Sequence, residues 1–152
     1  MISVVIINDY CCIEGGASYV AISSAQGLAN AGYKVTFVYC SGSIDNKLLH
    51  PNIILVDFKQ FDLRSNPSKF NAALSGLWNK DVESKMSKLL STFDVSNTIV
   101  HFHTWTKAMS ASSIFVAIEL KFSIVVTLHD YFTICPNGGL YNYQDRKICN
   151  IT

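Results

Sequence analysis

Residues 2–7, ISVVII, form a near-continuous β-branched run. A strand with one wet face alternates apolar and polar side chains, so a run of this kind marks a strand buried on both faces. The pattern recurs at residues 35–39 (VTFVY), 53–58, 98–102 and 123–128. Helical patterns stand between the runs. After Gly15 and Gly16, one helix face collects Ala17, Val20, Ala21, Ala25, Leu28 and Ala29, and Gly32 takes the C′ position that ends the helix. Asn66 and Pro67 read as the N-cap and first residue of a second helix, striped by Phe70, Ala73, Leu74 and Leu77. Val82, Met86, Leu89, Leu90 and Phe93 stripe a third, and Ala111, Ile114, Phe115 and Ile118 a fourth. Such alternation predicts an α/β fold: a Rossmann-like parallel sheet with helices on both faces and right-handed crossovers.

The chain has 152 residues, enough for one domain with a full core. It is 49% hydrophobic and 15% charged, below the roughly 25% charged of an average domain, which excludes disorder as the default. A net charge of +1 leaves no electrostatic footprint for nucleic acid or anionic lipid. High apolar content with little charge suits a chain that hides part of its surface against another domain or subunit. No Lys or Arg precedes the apolar opening, and Asn8 and Asp9 end it, unlike a signal peptide. No apolar run approaches the roughly 20 residues of a membrane span. Cys11, Cys12, Cys40, Cys135 and Cys149 form an odd set, which favours a reduced, cytoplasmic setting. From Asp130 onward the pattern stops and no core-forming element closes the chain, so the expectation is one domain, 1–152, cut short in the loop after strand five.

Open parallel sheets bind ligands beyond the carboxyl ends of their strands. Four places put unusual residues there. Gly15 and Gly16 open the first helix, where a backbone can approach a phosphate closely, although neither the three-glycine dinucleotide fingerprint nor the phosphate-loop pattern is present. His101, His103 and Trp105 close strand four, and residues two apart share a strand face, so the imidazoles can converge. They can also be hydrogen-bonded strand-end residues, since zinc needs three or four ligands of proper geometry. His129 and Asp130 follow strand five, fit either to handle protons and hydroxyls or to cap a loop. The tail offers Cys135, Asn137 and Cys149. Nothing in the sequence supplies a lowered thiol pKa, which favours an ordering or buried role for Cys135.

Taken in order, these pieces resemble the amino-terminal half of family 4 retaining glycosyltransferases, enzymes of the GT-B fold. The likeness runs from Gly15-Gly16-Ala17 and the helix ending Leu28-Ala29-Asn30-Ala31-Gly32 to Val100-His101-Phe102-His103-Thr104-Trp105. It closes with Thr127-Leu128-His129-Asp130-Tyr131-Phe132, Cys135-Pro136-Asn137-Gly138-Gly139 and Cys149. The resemblance implies two Rossmann-like domains facing across a cleft. The amino-terminal one binds a saccharide or lipid-linked acceptor, and a carboxyl-terminal one, missing from this chain, binds the nucleotide-sugar with a glutamate pair seven residues apart. It implies sugar transfer with retention, a nucleotide-sugar as co-substrate, and no cofactor or metal. Gly15 and Gly16 would then approach the donor diphosphate. His129 and Asp130 would be catalytic, and His101, His103, Trp105 and Asn137 would bind substrate. A lipid-linked acceptor would bring the enzyme to the inner face of the membrane. The chain alone, lacking the second wall of the cleft, would be inactive. Two other readings stay open: a metal-dependent hydrolase using His101, His103 and His129, and a non-catalytic carbohydrate-binding module.

Overall fold

Strands β1 (Ser3–Asn8), β2 (Lys34–Tyr39), β3 (Ile53–Asp57), β4 (Thr98–Thr104) and β5 (Ser123–Val126) make one sheet in the order β3-β2-β1-β4-β5, with every pair parallel. The computed structural model describes residues 2–62, 75–135 and 137–149. The fold is α/β and Rossmann-like, as the alternation of runs predicts. The chain moves outward from β1 to β3, returns to the far side of β1, and continues to β5. The gap between β1 and β4 is therefore the topological switch point, where such sheets bind ligands.

Alternate side chains of each strand feed two cores. Val4 and Ile6 of β1 and Val35 and Phe37 of β2 meet Ala21, Ile22, Ala25 and Ala29 of helix α1 (Gly16–Asn30). Val5, Ile7, Val38, Val100 and Phe102 meet the other face's helices, α2 (Lys80–Leu90) and α3 (Ser112–Glu119), through Val82, Met86, Leu90, Val116 and Ala117. The alanines of α1 recur every four residues, which lets its backbone lie close to the sheet, and Ile22 fills the space between. Full burial of such a side chain is worth about 1.5–3 kcal/mol.

Local rules set the helix ends. Gly32 adopts φ 92°, Tyr33 N–H donates to Leu28 O (3.1 Å) and Gly32 N–H to Ala29 O (3.1 Å), the paired bonds of a Schellman stop. Asn79 caps α2, its side chain accepting from the N–H groups of Asp81 and Val82, with Asp81 and Glu83 placed favourably for the helix dipole.

Four expectations need correction. On α1, Val20 is exposed and Ile22 is buried in its place. On α3 the buried face is Ser112, Ser113, Val116 and Ala117, while Phe115 and Ile118 are exposed. Apolar periodicity missed this because the two serines are satisfied internally, Ser112 Oγ donating to Asn79 O (2.9 Å) and Ser113 Oγ to Ser110 O (2.9 Å). Phe115 instead packs edge-on against Trp78, with centroids 5.1 Å apart. The edge strands are not buried on both faces: Ile54 of β3 and Val125 of β5 face outward. The tail is not structureless either. Strands β6 (Tyr141–Asn142) and β7 (Lys147–Ile148) form an antiparallel hairpin, its turn built by Asn142 Oδ1 accepting from the N–H groups of Gln144 and Asp145. The second predicted helix falls largely outside the described residues, Asn66, Pro67, Phe70, Ala73 and Leu74 among them; residues 75–77 are helical, with Leu77 exposed. Among the described residues, no helix is long and apolar enough to cross a membrane.

Candidate functional site

Strand β4 runs beyond its apolar core to Thr104, and its pairing slips at the end. Ile7 lies opposite Phe102 but Asn8 opposite Thr104, so His103 has no partner on β1. A bulge of this kind re-aims side chains and recurs beside functional sites. Thr104 Oγ1 secures the slip, donating to Asn8 Oδ1 (2.8 Å) and accepting from Asp9 N–H (3.1 Å).

The bulge gathers the histidines. His101 and His103 have ring centroids 4.2 Å apart, and His103 stacks on His129 at 5.4 Å. His103 Nδ1 and His129 Nε2 share a hydrogen bond of 3.1 Å, and His101 Nε2 bonds Thr127 Oγ1 at 2.8 Å. His103 is 3% exposed, and its Nε2 is, among the described residues, the buried side-chain nitrogen or oxygen left without a partner. Burial, and then the charges of His101 and His129, push the His103 imidazole down to about 3. Burial followed by His129 also lowers His101. Both rings are therefore neutral near pH 7, each with one donor and one acceptor nitrogen.

His103 forms part of a cleft of about 110 Å³ whose walls include Trp105, Lys107, His129, Asp130 and Phe132. Ala17 brings the start of α1 to the same cleft. A second, open groove of about 440 Å³ shares His129 and Asp130 and continues along Tyr131 and Ile134. Trp105 is buried and meets Phe102 edge-on at 5.8 Å. Asp130 is exposed, and its Oδ1 accepts from Phe132 N–H (3.1 Å), which fixes the turn after β5.

Gly15 and Gly16 are exposed at the mouth of α1, whose first turn has neither a capping side chain nor an acidic residue. A Cβ at either glycine would meet no atom within 4 Å, and neither needs a left-handed φ. The fold itself thus makes no demand for glycine at these two positions.

The remaining predicted site residues spend their hydrogen bonds within the chain. The nitrogen of His101 is engaged by Thr127, and the ring lies behind His103 rather than among the cleft walls. Asn137 orders the tail: its amide donates to Tyr141 O (2.7 Å), and its Oδ1 accepts from Gly139 N–H (2.9 Å) and from the Cys135 thiol (2.9 Å). All five cysteines are free and Cys135 is buried. Its thiol departs from expectation. Burial raises it, but the N–H groups of Asn137, Leu140, Gly139 and Gly138 outweigh that and lower it from its ordinary value. Among the described residues, no group of three or more His, Cys, Asp or Glu side chains is arranged to hold a metal ion. His103 Nδ1 and His129 Nε2 are turned toward each other instead of toward a common point.

Sequence reasoning missed Asp9, which it took only as the end of strand one. This carboxylate is fully buried, and its two oxygens accept from Lys107 N–H and Ala108 N–H, both at 3.1 Å. The signal was available: an acidic residue directly after the central strand, at the sheet edge where ligands bind. No protein-family model and no curated protein matches this chain.

Proposed function

We propose that this chain is the amino-terminal, acceptor-side half of a retaining glycosyltransferase of the GT-B type. Such an enzyme transfers a sugar from a nucleotide-sugar to a saccharide or lipid-linked acceptor. The observation that carries the reading is the orphan Nε2 of His103, a residue that lines a strand-end cleft together with His129 and Asp130. A buried polar atom without a partner is costly, about 1–3 kcal/mol, and a ligand that fills it recovers that cost on binding. A hydroxyl suits it in either tautomer, since hydroxyls both donate and accept. Carbohydrates present hydroxyls in arrays, and Trp105 and Phe132 offer ring faces for their apolar sides.

Two further features support the same reading. A cleft of about 110 Å³ is small beside the roughly 300–1,000 Å³ of complete ligand pockets, which suits one wall of a site whose other wall lies in a donor-binding domain. The unexplained glycines at 15 and 16 leave room for a diphosphate to approach the free end of α1. In this reading His129 and Asp130 hold hydroxyls at the reacting centre, and His103 and Trp105 hold the acceptor. His101 and Asn137, whose hydrogen bonds are made within the chain, position their neighbours.

The test is NMR titration of the 152-residue chain with a panel of nucleoside-diphosphate sugars and oligosaccharides. The reading expects saccharides to perturb His103, Trp105, His129 and Asp130, nucleoside-diphosphate sugars to perturb Gly15 to Ala17, and His129→Ala to weaken the response at least tenfold. The chain alone should transfer no sugar, because catalysis needs groups from both walls held together. Binding confined to another face, or tight stoichiometric Zn²⁺ whose loss abolishes a hydrolytic activity, would overturn the proposal.

A further inference from the structure

One buried ionisable group lies outside the site as described. Asp9 follows β1 and ties three strand ends together. Its carbonyl accepts from Cys40 N–H (3.0 Å) and Ser41 N–H (3.3 Å) after β2, its own N–H reaches Thr104 on β4, and its carboxylate accepts from Lys107 and Ala108 in the loop after β4. That loop is a wall of the cleft, since Trp105, Thr106 and Lys107 all line it. We propose that Asp9 is a pH-sensitive positioning residue: as a carboxylate it fixes residues 105–108 as a cleft wall, and on taking up a proton it loosens that wall.

The chemistry follows from the acceptor count. A carboxylate can accept both N–H groups at full strength, one on each oxygen. A protonated carboxyl carries its hydrogen on one oxygen, which becomes a donor and a poor acceptor, so one of the two N–H groups loses its partner. Burial pushes the Asp9 carboxyl up to about 6, against the lowering effect of the backbone N–H groups of Lys107, Ala108 and Met109 and of the Lys107 charge. The change thus falls in a mildly acidic range instead of far below it. The titratable groups facing Asp9 are Lys107 from the loop after β4, Cys40 from the end of β2, and Tyr10 beside it in the chain. Burial, then the Asp9 charge, holds the Cys40 thiol up; burial, then the hydrogen bond to and charge of Asp62, with Asp9 behind them, hold the Tyr10 phenol up. Among these groups, Asp9 is the one whose change falls in this range. The inference does not depend on the nature of the ligand.

The 152-residue chain has two tryptophans, Trp78 and Trp105, so Trp78→Phe leaves Trp105 as a reporter of the wall. Trp78 is exposed and is not among the cleft walls; its indole N–H donates to Glu83 (2.7 Å) and its ring meets Phe115. NMR between pH 4 and 8 should show the Asp9 side-chain carbon and the amides of Lys107 and Ala108 moving together with a midpoint near 6. Trp105 emission in the Trp78→Phe protein should follow the same midpoint, and Asp9→Asn should abolish the transition at the two amides. Should Asp9→Asn not fold, the wild-type resonances decide alone. Amides that stay still while the Asp9 carbon titrates, an Asp9 carbon that titrates only at ordinary carboxylate pH, or Trp105 emission that ignores the transition would each overturn the proposal.

Discussion

Asp9 and His103 are both buried polar side chains at the carboxyl edge of the sheet, and the chain treats them in opposite ways. Asp9 is fully enclosed and has N–H groups on both oxygens, all supplied by backbone. His103 is nearly as buried, but one nitrogen is bonded and the other is left empty. The first arrangement gives both carboxylate oxygens partners within the fold, offsetting part of the cost of burial, and so it holds loops in place. The second leaves part of that cost outstanding, in a cleft, where a bound molecule can recover it. The completeness of a buried group's hydrogen bonding therefore separates a structural polar residue from a candidate binding one more sharply than burial does.

The largest way to break this comparison is Asp9→Ala. It strips the acceptor from the Lys107 and Ala108 N–H groups, and at about 1–3 kcal/mol per unpaired buried donor the loss should be about 2–6 kcal/mol. Urea unfolding reads this directly, and a loss below 1 kcal/mol would mean that water enters freely behind the loop.

Acid should then pull the two residues apart. The Asp9 carboxyl lies at about 6 when folded and 3.8 when unfolded, so its contribution to stability is present below 3.8 and is lost as pH rises through 6. His103 lies near 3 when folded and 6.5 when unfolded, so its contribution is present above 6.5 and is lost as pH falls toward 3. Each proton tilts the curve by up to about 1.4 kcal/mol per pH unit, in opposite directions. Asp9→Asn should therefore lose stability faster on acidification than the wild type, and His103→Phe more slowly. Identical slopes in the two variants would contradict the assignment.

At neutral pH His103→Phe should change stability by no more than about 1 kcal/mol in either direction. Of the two nitrogens removed, Nε2 was unpartnered, and the half-buried His129 that loses its bond to Nδ1 can turn to water. Saccharide binding should nevertheless fall. Asn137→Ala makes the smallest change. It removes the bonds that order the exposed tail loop, so it should shift stability by about 0.5 kcal/mol and leave the cleft resonances where they are.

Much of the fold was legible because it rests on periodicity. The strand runs, the Gly32 stop and the α2 stripe each obey a local rule that a neighbouring element then rewards. The α3 face was not legible, because Ser112 and Ser113 are buried through hydroxyl bonds to Asn79 and Ser110 that no hydropathy pattern records. The hairpin of the tail was hidden for a similar reason, being held by Asn137 and Asn142 side chains and not by an apolar core. For the site, position at strand ends pointed to His103, Trp105, His129 and Asp130, which the structure lines up along one cleft. What strand-end position could not separate was His101 from His103. The bulge opposite Asn8 does so, leaving one ring engaged by Thr127 and the other with an open nitrogen. Asp9 was hidden because its partners, Lys107 and Ala108, lie 98 and 99 residues away in sequence.

The most direct test is the ¹⁵N spectrum of the His103 imidazole, recorded at neutral pH without and with the saccharide that binds most strongly. The account predicts a neutral ring whose Nδ1 is unaffected and whose Nε2 resonance shifts on binding as it gains a hydrogen-bond partner. An Nε2 that is already hydrogen-bonded in the free protein, or that stays unchanged while saccharide saturates the chain, would contradict it.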